Sequence, residues 1–128
     1  MGMRLAMAMA MAMALMTWSA AAWAQAPAGD PAAGEKTFNQ CKVCHTNEAG
    51  KNKVGPSLFG VVGRPSGTAP GFNYSPAMKN AGVTWTPETI DKYLADPKAM
   101  VPGNKMAFPG LKNEQDRRNV IAYLSTLK

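Results

Sequence analysis

The chain has 128 residues, which is enough for one ordinary domain and too few for two. It contains two cysteines and one histidine, so a disulfide-dense scaffold is excluded. A closed structural zinc site is excluded as well, because tetrahedral zinc takes four protein ligands. Thirteen of the 14 basic residues and all eight acidic residues lie after position 24, which gives that part a net charge of +5.

The first 24 residues have the three parts of a secretory signal peptide. A basic start is followed by an apolar run over 5–16 and by Ala22-Trp23-Ala24, a small-x-small cleavage site. We therefore expect 1–24 to be removed and 25–128 to form one mature domain in the bacterial periplasm, with Gln25 first. The alternative is an uncleaved membrane anchor, although the apolar run is shorter than the roughly 20 residues that span a bilayer.

Four of the five predicted helices begin at the same kind of dipeptide. In each, a side chain that can cap the helix precedes a proline, which loses nothing at the first helical position. These dipeptides are Asp30-Pro31, Ser75-Pro76, Thr86-Pro87 and Asp96-Pro97. The helices are predicted over about 31–40, 76–81, 87–95 and 97–101. A fifth, over about 114–127, has Val120, Ile121, Leu124 and Leu127 at helical spacing.

The segment 50–71 is predicted to be a long loop, because it is rich in glycine and proline. A loop of that length in a compact domain is usually functional or is wrapped around something. No segment alternates polar and apolar residues as a strand does. The predicted fold class is therefore all-α, with short helices and loops that enclose a ligand.

The run Cys41-Lys42-Val43-Cys44-His45 has the C-x-x-C-H spacing at which c-type haem is attached. Two thiols three positions apart can bond the two vinyl-derived carbons on one porphyrin edge, and His45 Nε2 can then reach the iron. The periplasm also does not leave cysteines free, which agrees with bonded thiols. The alternatives are a chance match and a thioredoxin-type redox disulfide, which needs a βαβ pattern that this sequence lacks.

The rest of the chain, from about Gly34 to Leu127, resembles the small class I cytochromes c, the mitochondrial type and its bacterial counterparts. The resemblance implies an all-α class I cytochrome c fold of about five short helices around one covalent haem, with crossed N- and C-terminal helices. The matching segments are Gly55-Pro56-Ser57-Leu58, Gly63-Arg64, 70–75, Trp85, 93–98, 101–108 and 121–124.

The same resemblance implies the residues that hold the haem. Cys41 and Cys44 would bind it covalently, and His45 and Met106 would be the two iron ligands. The Pro56 carbonyl would accept the His45 Nδ1–H, which fixes the imidazole tautomer.

Other residues would surround the haem. Arg64, Tyr74 and Trp85 would contact the propionates, and Tyr93 would hydrogen-bond toward the Met106 sulfur. Gly34 and Phe38 would meet Val120 and Tyr123 where the first and last helices cross. Three positions depart from the family pattern and put the buried polar network in doubt: Asn52, Met78 and Asn104.

Iron with a ligand on each face has no open position for a substrate, and no second histidine or paired acid and base remains. The sequence therefore predicts a soluble one-electron carrier in the periplasm and not an enzyme. The alternatives are a haem peroxidase or a gas-binding protein, if the methionine ligand is labile, and an electron-entry module tethered to a membrane oxidase.

The basic mature chain favours partners with acidic faces. We expect membrane redox complexes: a cytochrome bc complex, and a terminal cytochrome c oxidase or a photosynthetic reaction centre. Nucleic acid is not an expected partner, and the chain is expected to be a monomer. The predicted docking lysines around the haem edge are Lys53, Lys98, Lys105 and Lys112.

Overall fold

The structure is a computed structural model that describes residues 29–128. The predicted signal peptide and its cleavage site lie outside the described residues. The helices are α1 Pro31–Phe38, α2 Pro76–Lys79, α3 Pro87–Ala95, α4 Pro97–Met100 and α5 Glu114–Leu124.

The described part of the chain is all-α, as predicted. Its one β feature is an isolated antiparallel bridge between Pro65 and Thr84. No helix within 29–128 is long and apolar enough to cross a membrane.

The four predicted helix starts are confirmed, and in each the predicted side chain caps the helix. The Asp30 side chain accepts the Ala32 N–H, and Thr86 accepts the Thr89 N–H. Ser75 and Asp96 cap α2 and α4 in the same way. The cap of α5 is Asn113, which has no proline after it.

The predicted ends of α1, α2 and α5 lie two or three residues too far along the chain, that of α4 lies one residue too far, and that of α3 is confirmed. At α5 the Leu127 N–H bonds the Leu124 carbonyl and the Thr126 N–H bonds the Tyr123 carbonyl, so the last turn tightens to three-residue spacing. This is a common way to satisfy the last carbonyls of a helix. The first helix likewise ends at Phe38, and the chain continues in turns through 39–44.

Helices α1 and α5 cross at Gly34, as predicted. A Cβ on Gly34 would lie 1.8 Å from the Asn119 carbonyl oxygen and 2.9 Å from the Tyr123 Cβ. Phe38 is fully buried one turn later, with its ring centroid 5.2 Å from that of Tyr123, and Val120 is buried beside them. Only a residue without a side chain allows the two backbones to approach this closely.

The long loop folds back on the segment before α3. The Gly63 N–H bonds the Trp85 carbonyl at 2.7 Å, and the Trp85 N–H bonds the Arg64 carbonyl at 3.0 Å. The Ser66 N–H bonds the Val83 carbonyl at 2.6 Å. These bonds bring Arg64 and Trp85 together, although 21 positions of sequence separate them.

Candidate haem site

The C-x-x-C-H motif forms a single turn at the end of α1. The Cys41 N–H bonds the Phe38 carbonyl at 2.8 Å, and the His45 N–H bonds the Cys41 carbonyl at 2.8 Å. Both cysteine side chains are half-buried. The turn therefore presents two thiols and an imidazole from five consecutive residues.

The Cys41 thiol does not have the lowered pKa that is typical of a redox dithiol. Burial raises the pKa of Cys41 to about 11, and the neighbouring Cys44 adds to that rise. Redox C-x-x-C pairs rely instead on a lowered thiol pKa. This observation argues against the thioredoxin-type alternative.

His45 is oriented by its second nitrogen. Its Nδ1 lies 2.7 Å from the Pro56 carbonyl oxygen, and since a carbonyl can only accept, Nδ1 carries the proton. Nε2 is then left with the lone pair that binds a metal. Burial lowers the pKa of His45, the bond to Pro56 opposes that shift, and Arg64 reinforces it. The imidazole is thus held neutral, as a metal ligand must be.

Gly55 makes room for the His45 ring. A Cβ on Gly55 would lie 2.5 Å from His45 Cε1 and 2.7 Å from Nδ1. The Gly55 N–H also bonds the Cys44 carbonyl at 2.8 Å, which fastens this segment to the motif. Two thiols beside a neutral, oriented imidazole are a donor set that fits covalent haem.

Of the three methionines within 29–128, Met106 is the one that lies outside both the helices and the core. Met78 and Met100 belong to α2 and α4 and pack against the buried core cluster. Met106 is half-buried in the non-helical segment after α4, and its N–H bonds Asn104 Oδ1 at 2.9 Å. Its bond to iron stays a prediction.

The four aromatic and basic residues predicted beside the haem have other contacts here. The Arg64 guanidinium donates to the Ser57 carbonyl at 3.1 Å, and the Tyr74 hydroxyl accepts the Ala69 N–H at 2.9 Å. The Trp85 and Tyr93 ring centroids are 5.0 Å apart, and burial raises the pKa of Tyr93 to about 12. Their predicted contacts with propionates and with Met106 stay predictions.

The structure also places two amides whose roles were not predicted. Asn52 Nδ2 donates to the Pro70 carbonyl at 2.9 Å, while Asn52 Oδ1 accepts the Ser57 N–H at 3.0 Å. Asn52 therefore joins the segment around Ser57 to the one around Pro70. The second amide, Asn104, bonds both α4 and the backbone of Met106. The sequence signal for Asn104 is an asparagine two positions before a loop methionine, since asparagine often bonds the backbone two residues on.

The comparisons with known proteins point to one family. The family model described as Cytochrome c matches residues 31–128. Cytochrome c2 from Rhodomicrobium vannielii is 57% identical over 112 residues, which are 87% of each chain. Cytochrome c2 iso-2 from Magnetospirillum molischianum is 55% identical over 82% of this chain and 100% of its own. The solved structure of cytochrome cH from Methylobacterium extorquens superposes with a TM-score of 0.73 at 49% identity, covering 77% of this chain and 99% of that one.

Proposed function

This chain belongs to the cytochrome c family, and on that premise we propose that His45 and Met106 bind the haem iron from opposite faces. The chain is an electron-transfer protein and not an enzyme, and its haem c is covalently bound through Cys41 and Cys44. The observation that carries the ligand proposal is the bond from His45 Nδ1 to the Pro56 carbonyl, which leaves Nε2 for the metal.

The haem, when bound, supplies a one-electron ferric–ferrous couple. The Pro56 carbonyl accepts the His45 proton, which holds the ring in place and makes the imidazole a stronger donor to the metal. The Met106 thioether favours ferrous iron and so raises the reduction potential. With His45 and Met106 as its ligands, the iron would have no position left for a substrate, and the haem could gain and lose an electron without a change of ligands.

Small-ligand binding tests this proposal. Reduced wild-type protein exposed to carbon monoxide should keep its spectrum, because Met106 occupies the position that the gas needs. Met106→Ala should bind carbon monoxide, whereas Met100→Ala should behave as wild type because Met100 packs in the core. Binding to the wild type at the rate of Met106→Ala would contradict the carrier proposal. The peroxidase or gas-binding alternative has no support, since the relatives found are cytochromes c.

We also propose that the chain docks on membrane redox complexes through an exposed basic face. The four lysines of that face are Lys53, Lys98, Lys105 and Lys112, and all are exposed. Three of these lysines donate a hydrogen bond to a backbone carbonyl. Lys53 Nζ donates to the Lys42 carbonyl at 2.7 Å and Lys112 Nζ to the Ala95 carbonyl at 3.0 Å. Lys105 Nζ donates to the Asn73 carbonyl at 3.4 Å. Ammonium groups that are already held lose less rotamer freedom when a partner binds.

Charge reversal tests the docking face. Lys53→Glu or Lys112→Glu should slow electron transfer to an acidic acceptor, and the loss should shrink as salt rises, because salt screens exposed charges. Lys36→Glu and Lys128→Glu are the controls and should matter less. Equal ionic-strength slopes in stopped-flow measurements for wild type, face variants and controls would contradict the proposal.

The periplasm is the proposed location, after removal of 1–24. The support is the signal-peptide pattern of those residues. The mass of the purified holoprotein tests it: the expected value is that of 25–128 plus one haem. A mass that includes 1–24 would favour the tethered alternative.

A further inference from the structure

The side chain of Asn104 connects α4 to the segment that carries Met106. Its Nδ2 donates to the Val101 carbonyl at 2.8 Å and to the Pro97 carbonyl at 3.0 Å. Its Oδ1 accepts the Met106 N–H at 2.9 Å. One half-buried amide thus uses both of its N–H groups on the helix side and its oxygen on the methionine side.

The helix side of this link is firmly held. Pro97 is fully buried, and α4 is capped by Asp96, whose carboxylate accepts the Ala99 N–H at 3.2 Å. The Pro97 carbonyl also accepts the Val101 N–H at 3.0 Å, and the Val101 carbonyl also accepts the Asn104 N–H at 3.2 Å. The Asn104 amide adds a second hydrogen bond to each carbonyl, and the position of its side chain is thereby fixed by α4.

On the methionine side, Lys105 Nζ donates to the Asn73 carbonyl and Phe108 packs against the core, but the backbone itself is sparsely bonded. Among residues 29–128, the bond from the Met106 N–H to Asn104 is the one hydrogen bond made by the backbone of 105–110. The next backbone bond along the chain is from the Leu111 N–H to the Leu94 carbonyl at 2.7 Å. The Met106 segment is therefore tied at Asn104 and again at Leu111, with no backbone bond between.

We propose that Asn104 is a positioning residue that holds Met106 at the iron and so resists the replacement of this ligand by small molecules. The proposal rests on the ligation by Met106 proposed above. Without the amide, the Met106 N–H loses its partner and the carbonyls of Pro97 and Val101 each lose one of two bonds, so the Met106 segment is no longer tied to α4. The loss of such bonds corresponds to about a tenfold to hundredfold change in an equilibrium constant.

Imidazole titration of the ferric holoprotein tests the proposal. Asn104→Ala should bind imidazole about tenfold to hundredfold more tightly than wild type. Asn104→Ser should be intermediate, because a hydroxyl can still accept the N–H two residues on, although more weakly. Asn80→Ala, at an exposed asparagine just after α2, is the matched control and should bind imidazole as wild type does.

A second titration, in a Met106→Ala background, separates positioning from a general structural role. There Asn104→Ala should leave the imidazole affinity unchanged, since no methionine remains to be held. An unchanged affinity in the Met106-containing protein, or the same gain in both backgrounds, would overturn the proposal. Failure of the ligation itself has a different signature: Met106→Ala alone would then not raise the imidazole affinity.

Discussion

Replacing Gly55 with alanine perturbs the orientation of His45 through a single added carbon. Gly55 is not among the glycines with a positive φ, so its backbone accepts alanine. The added Cβ would lie 2.5 Å from His45 Cε1 and 2.7 Å from Nδ1. Carbon atoms in contact sit about 3.5 Å apart or more, so the ring or the loop must move by about 1 Å.

That movement has a cost that follows from the geometry. Adding a methyl group to a filled site typically costs about 1–3 kcal/mol. A shift of about 1 Å also breaks the 2.7 Å bond between His45 Nδ1 and the Pro56 carbonyl, which is worth about 0.5–1.5 kcal/mol net. We expect Gly55→Ala to lower the free energy of unfolding by about 1.5–4.5 kcal/mol. It should also raise the reduction potential, because an imidazole without that bond is a weaker donor to ferric iron.

Denaturant unfolding and redox titration of the holoprotein measure both effects. Gly50→Ala is the control: Gly50 has a φ of +73° and no atom within 4 Å of an added Cβ. It should cost about 1–2 kcal/mol through its backbone conformation alone and leave the potential unchanged. If Gly55→Ala matched wild type in both stability and potential, the argument that Gly55 and Pro56 position His45 would be refuted.

Two further predictions concern the helices. Gly34→Ala should destabilise the protein by about 3 kcal/mol or more, because its Cβ would lie 1.8 Å from the Asn119 carbonyl oxygen. The control, Ala32→Gly on the exposed side of α1, should cost only about 1 kcal/mol. Denaturant unfolding measures both costs, and equal values would contradict the close crossing of α1 and α5. Tyr93→Phe should change the pH dependence of stability: the phenol ionises near pH 10 in the unfolded chain and near pH 12 in the fold, so wild-type stability should fall more steeply than that of the variant between those values. Parallel curves above pH 10 would show that Tyr93 is not buried in the folded protein.

Helix starts could be predicted from the sequence because their signals are local. Asp30, Ser75, Thr86 and Asp96 each bond an N–H within three positions, and the proline beside each marks the place. The end of α5 could not be placed, because the closing turn depends partly on a distant contact, the bond of the Gly60 N–H to the Leu127 carbonyl.

The haem site likewise has a part that local sequence predicts and a part that depends on distant contacts. Cys41, Cys44 and His45 are neighbours in sequence, and their spacing alone predicts their chemistry. The bond between His45 and Pro56 spans 11 positions and ends on a backbone oxygen, so only the family resemblance suggested it. Asn52 and Asn104 are amides whose partners depend on how separate segments meet. The family resemblance identified both as departures from the family pattern, but their hydrogen bonds could be assigned only from the structure.

The ferric near-infrared spectrum tests the account most directly, because a thioether bound to ferric haem iron gives a weak far-red band. We predict this band in wild type, in Met100→Ala and in Met78→Ala, and its loss in Met106→Ala together with a lower reduction potential. A band that survives in Met106→Ala, or that disappears in Met100→Ala or Met78→Ala instead, would contradict the assignment of Met106 as the second iron ligand.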